Sequence, residues 1–196
     1  MTSNVIELDE IEDLRTYERH RKEMKTEMIE YRRLRRVALG EIMSITFENK
    51  KTIKYQIQEM ARAERMSSDE QIRSEILAYG NLIPEPGQLV GTLFIELTSR
   101  SELMHWLPIL TGVERCLWLD TPSGSFQSYP EADHAAQLTR ADITPSVHYL
   151  KFDLDIQTPE TFINSPISVR VAHENYEASA YLSEELKRSL TMDWQS

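Results

Sequence analysis

Met43-Ser44-Ile45-Thr46-Phe47-Glu48-Asn49 is the stretch on which the fold turns. Its apolar side chains alternate with Ser44 and Thr46, the two-residue period of a half-buried strand. At Asn49 the period changes. Ile53, Ile57 and Met60 follow at helical spacing, and Asn49 is a residue type that caps a helix by accepting from a free backbone amide. A strand therefore hands over directly to an amphipathic helix that runs to about Met66.

Upstream, Ile11, Leu14, Tyr17, Met24, Met28 and Tyr31 recur at helical spacing and predict one long N-terminal helix. Asp9 and Glu12 have capping-box spacing at its start. Acids (Glu10, Glu12, Asp13) crowd its first turns and Arg32, Arg33, Arg35 and Arg36 crowd its end, which suits the helix dipole at both ends. Gly40 lies where a left-handed stop is wanted. Residues 1–8 read as a tail and 9–196 as a single domain.

Downstream, Ser68 and Gln71 cap a short helix that ends at Gly80. Leu89 to Leu97 is apolar on both faces, as a central strand is. Ser99 and Glu102 cap a further helix that Pro108 should kink or end early. Val113–Leu119, a short partner near Phe126, Val147–Leu154 and Ile167–His173 read as strands. Residues 130–144 read as a long loop. Thr158 and Pro159 open a short helix, and Ser183 caps a last one with Leu186, Leu190 and Trp194 on its stripe. The expectation is an α+β fold: a mostly antiparallel sheet of about six strands, helices packed on one face, and a long N-terminal helix.

Composition narrows the function classes. The chain has 196 residues and a net charge of −10. On average such a surface repels nucleic acid and anionic membranes. Its most apolar stretch, Leu103 to Leu110, is far short of the roughly 20 residues that span a bilayer. Cys116 is the one cysteine, which rules out an internal disulfide and a cysteine metal cluster. With no export pattern at the start, a cytoplasmic protein is expected. The six glycines are scattered, so neither a P-loop nor a dinucleotide turn can be built. Glycine-flanked nucleophilic serines and His-Glu-x-x-His helices are also missing.

Two candidate sites remain. His148 shares the parity of Leu150, Phe152 and Leu154, and His173 that of Ile167, Val169 and Val171. If their strands pair antiparallel, both imidazoles lie at one end of the sheet. They could then ligate a metal, with Glu174 or a helix carboxylate completing the set. The simpler reading is two core histidines, each satisfied by a local hydrogen bond. The second candidate is the polar face of the helix after Phe47. Tyr55, Glu59 and Arg62 share it, and Gln56 borders it; the simpler reading is a solvated face with an ordinary Glu59–Arg62 pair. The arginine cluster is explained by the helix end it complements, and Cys116 by burial as a small hydrophobe.

Several runs carry a resemblance. Arg35-Arg36-Val37-Ala38-Leu39-Gly40, Phe47-Glu48-Asn49, Tyr55-Gln56-Ile57-Gln58-Glu59-Met60, Leu82-Ile83-Pro84, Val147-His148-Tyr149-Leu150-Lys151-Phe152 and His173 to Tyr176 resemble a bacterial family called domain of unknown function 3501. Glu174 stands where relatives carry a proline. The resemblance carries over no established activity, and the cofactor is unknown. It implies a setting beside rubrerythrin-like and iron–sulfur oxidoreductase proteins. The expected function is thus an accessory or binding protein for a redox or metalloprotein partner in peroxide metabolism. The alternative is a metal-dependent enzyme with His148 and His173 as ligands and Glu59 as acid/base. A third reading is a structural protein whose long first helix supplies a homo-oligomer interface.

Overall fold

The computed structural model describes residues 5–132, 143–154 and 159–194. The expected loop over 130–144 lies mostly outside these residues, as does Thr158. Helix α1 spans Leu14–Leu34. It starts later than the apolar spacing suggests, because Asp13 rather than Asp9 is its cap: the Asp13 carboxylate accepts from the amides of Arg15 and Thr16. Leu8–Glu10 forms a separate 3-10 turn. The helix also ends earlier, and Arg36–Leu39 becomes strand β1. Gly40, at φ 72°, turns β1 back onto β2 (Met43–Phe47) instead of ending a helix.

The remaining elements follow the expected order. Helix α2 spans Lys50–Ala63, capped by Asn49 as anticipated, and α3 spans Asp69–Gly80, capped by Ser68. Strand β3 is Gln88–Ile95 and helix α4 is Arg100–Ile109, which carries Pro108 in its last turn. Strands β4 (Leu117–Thr121), β5 (Gly124–Gln127), β6 (Tyr129–Pro130) and β7 (Val147–Asp153) come next. Helix α5 (Pro159–Asn164), β8 (Ser168–His173), β9 (Tyr176–Tyr181) and α6 (Glu184–Asp193) complete the chain. Cys116 caps a 3-10 turn over Val113–Arg115 and does not lie on a strand.

The fold is α+β and its strand pairs are antiparallel. The strands divide between two sheets, in the orders β1-β2-β3-β7-β6 and β5-β4-β8-β9. As its two-sided apolar pattern requires, β3 is central in the larger one. The main core joins the inner faces of both sheets: Ile45, Phe47, Leu93 and Leu150 from one, Leu117, Leu119, Val169 and Val171 from the other. Leu186 and Leu190 of α6 pack with them. A second cluster holds Ile53 and Ile57 of α2 against Val90 on the opposite face of the larger sheet. Helices therefore lie on both sides of that sheet, where one side was expected.

Candidate functional site

Contrary to expectation, the two histidines do not lie on paired strands. His148 is on β7 in the larger sheet, whereas His173 is on β8 in the smaller one, and these strands are not neighbours. The Nε2 of His148 is 3.0 Å from Thr144 Oγ1. The Nε2 of His173 is 3.1 Å from the Thr111 carbonyl, and its Nδ1 accepts from the Asn175 amide at 3.2 Å. Burial holds the His148 pKa below the ordinary histidine value, so the ring is neutral near pH 7. Among the described residues, no group of three or more His, Cys, Asp or Glu side chains is arranged to hold a metal ion.

The α2 face splits in two. Glu59 faces α1, where it accepts two hydrogen bonds from the Arg21 guanidinium at 2.7 and 2.8 Å and one from the Tyr17 hydroxyl at 2.7 Å. The bond from Arg21 is the main reason its pKa falls to about 2, with the Tyr17 bond adding to it against the effect of burial. A carboxylate this firmly ionised is a poor proton shuttle at neutral pH. Arg62 stands 3.5 Å from Glu59 and 3.7 Å from Glu18. Burial, then the Glu59 charge, raises the Tyr55 pKa. Gln56 turns the other way and donates to the Tyr149 hydroxyl of β7 at 3.0 Å.

Gln56 leads to a site that the alternation in β2 concealed. Ser44 and Thr46 read as the wet face of a half-buried strand, yet all five residues of β2 are buried. The register places Arg36, Thr46, Thr92 and Tyr149 opposite one another across β1, β2, β3 and β7. This polar row crosses the face of the sheet that turns away from the main core. Arg36, Ser44 and Glu96 bond together at one side of it.

Glu48 lies at the other side, just past the end of β2. It is only 3% exposed. Its backbone amide bonds the Val90 carbonyl, and its Oε1 accepts from Thr92 Oγ1 at 2.6 Å. Its Oε2 is buried and accepts no hydrogen bond. Arg32, from the last turn of α1, brings Nη2 to 3.9 Å from that oxygen and donates to the Thr52 carbonyl at 3.4 Å. The Arg32 guanidinium sits 5.9 Å from the centre of the Tyr55 ring, and its Nε is likewise buried without a hydrogen-bond partner. A buried carboxylate oxygen and a buried guanidinium N–H, both unbonded, are costly to keep. Such groups call for an explanation, and a ligand that completes them is one.

Three sequence runs that carry the family resemblance meet at this place: Phe47-Glu48-Asn49, the Tyr55 to Met60 run, and Val147 to Phe152. The family model of proteins of unknown function DUF3501 matches residues 5–194. The chain belongs to the DUF3501 family. A crystal structure of a protein of unknown function from Burkholderia pseudomallei K96243 is similar to this DUF3501 chain, with 27% identity and a TM-score of 0.88. The match covers 96% of this chain and 98% of that one. No functionally curated protein matches it.

One signal for the site was present in the sequence. Thr92 interrupts the second apolar face of the central strand, between Val90 and Phe94. A hydroxyl there needs a buried partner, and Glu48 is that partner. The role of Arg32 was hidden among four arginines that the helix dipole already explained.

Proposed function

We propose that this DUF3501 protein works by binding, as an accessory protein, and that its binding site is the polar face of the larger sheet around Glu48. The buried, unbonded Oε2 of Glu48 carries this reading. A framework carboxylate would be expected to find a donor for each oxygen during folding, whereas a recognition carboxylate keeps one for its ligand. The geometry favours binding over chemistry. Glu59 is held ionised by Arg21 and Tyr17, which makes it a poor proton shuttle.

The test compares small molecules that remain with the purified wild-type protein and with Glu48→Gln, measured by mass spectrometry after denaturation. At least one polar compound should be enriched with the wild type and lost from the variant. Identical profiles from two equally folded proteins would remove the site.

For the partner we propose a redox protein or metalloprotein of the rubrerythrin-linked peroxide system, supported by the family resemblance alone. Affinity capture from native bacterial lysate should recover such a protein. Capture of none, under conditions that preserve weak complexes, counts against this setting and leaves the small-molecule site standing.

A further inference from the structure

The unbonded groups also specify a ligand chemistry, and the inference rests on the binding reading above. Glu48 Oε2 is an acceptor that lacks a donor, and Arg32 Nε–H is a donor that lacks an acceptor. The two belong to one ion pair, with Arg32 Nη2 at 3.9 Å from Glu48 Oε2, too long for a hydrogen bond. Their charges cancel formally. A ligand that enters with a net charge would leave the site charged and buried, at a desolvation cost that nothing else there offsets. Zwitterions fit poorly for another reason. An ammonium brings three donors and a carboxylate about four acceptor positions, whereas two groups await partners. One N–H donor beside one carbonyl-type acceptor satisfies both.

We propose that the Glu48–Arg32 pair recognises a small neutral ligand through the planar edge of an N–H donor beside a carbonyl oxygen. The N–H donates to Glu48 Oε2 and the carbonyl accepts from Arg32 Nε. Primary carboxamides and nucleobases both carry such an edge. The way in is on the Arg32 side, because the Arg32 side chain is 33% exposed and that of Glu48 only 3%.

The experiment follows the Arg32 Nε–H resonance of the full-length protein by heteronuclear NMR. Acetamide, cytosine, N,N-dimethylacetamide, acetate and methylammonium are titrated separately. Acetamide or cytosine should move that resonance saturably, and N,N-dimethylacetamide, which keeps the carbonyl but has no N–H, should not. Saturation by acetamide assigns a carboxamide, and saturation by cytosine alone assigns a nucleobase edge. Glu48→Gln should weaken the productive probe about tenfold or more, the worth of one hydrogen bond to a charged group. Arg32→Lys removes the Nε–H donor and with it the reporter resonance, so its binding is read by isothermal titration calorimetry against wild type; it should weaken the productive probe to the same degree if the first variant fails to fold.

A saturable response to acetate or methylammonium overturns the neutral-edge assignment and leaves a charged-ligand site in place. No saturable response to any of the five probes also overturns it. In that case the co-purification comparison of wild type with Glu48→Gln decides separately whether the face binds anything.

Discussion

A carboxylate that keeps a buried oxygen unbonded costs the fold stability, and Glu48 makes that cost measurable. Glu48→Gln retains an oxygen for Thr92 and removes a buried charge, while losing the attraction of Arg32 at 3.9 Å. These effects offset, so its unfolding free energy in urea should lie within about 1 kcal/mol of wild type while ligand binding fails. A loss of more than about 3 kcal/mol would mark Glu48 as framework. Glu59 behaves in the opposite way, because each of its oxygens is bonded. Its folded pKa is depressed, so its stabilisation is present above the unfolded carboxylate value near 4.5 and disappears as pH falls toward about 2. After allowance for solvent screening, Glu59→Gln should cost about 1–2 kcal/mol at pH 7 and almost nothing near pH 2, read from denaturant melts across that window. His148 also has a depressed folded pKa, caused by burial. The unfolded chain takes up a proton near pH 6.5 before the folded one does. Stability from the neutral ring is therefore complete above that pH and lost as pH falls below it. His148→Gln should flatten the stability curve below about pH 6.5 relative to wild type.

Among elements, the junction of α1, β2, α2 and α6 depends on Arg35. Its side chain is fully buried and donates to the Phe47 carbonyl at 2.8 Å, the Glu48 carbonyl at 3.3 Å, Ser189 Oγ at 2.7 Å and Asp193 Oδ2 at 2.6 Å. Asn49, the cap of α2, donates to the other Asp193 oxygen at 2.8 Å. Arg35→Ala leaves Asp193 uncompensated and should cost about 3–5 kcal/mol, seen as a lower denaturation midpoint with an unchanged slope. The same junction shows what was legible in the sequence. The Asn49, Ser68, Ser99 and Ser183 caps are local hydrogen bonds and could be read from spacing alone. The end of α1 could not, since four arginines suit a helix C-terminus wherever it stops. What ends α1 is a partner more than 150 residues away. Two sheets looked like one for a similar reason. Alternation reports which residues face inward, but not which strand lies alongside. Strand β9 escaped notice because Ala178 and Ala180 provide only small inward side chains. The Glu48 site was half legible, through Thr92, and half hidden, because a buried polar face alternates just as a wet one does.

At the scale of the molecule, the two sheets come together where β9 lies against β1, and the turn at Gly40 fixes that approach. The Tyr176 hydroxyl donates to the Leu39 carbonyl at 2.7 Å, tying an edge strand of one sheet to an edge strand of the other. Gly40 makes room for it. A Cβ there would come within 2.2 Å of the Tyr176 hydroxyl oxygen, and the backbone at φ 72° already disfavours any other residue. The ring of Trp106 meets that of Tyr176 edge-on at 5.9 Å, so α4 is drawn into the same seam. Tyr176→Phe loses one hydrogen bond and leaves the ring in place. It should cost about 1 kcal/mol. Gly40→Ala adds backbone strain and displaces the tyrosine, so it should cost more, about 2–4 kcal/mol. The double variant tests whether the two act through one contact. With the hydroxyl already gone, Gly40→Ala should cost less in the Tyr176→Phe background than alone, by at least about 0.5 kcal/mol in a double-mutant cycle. Strict additivity would mean that the turn and the seam are independent.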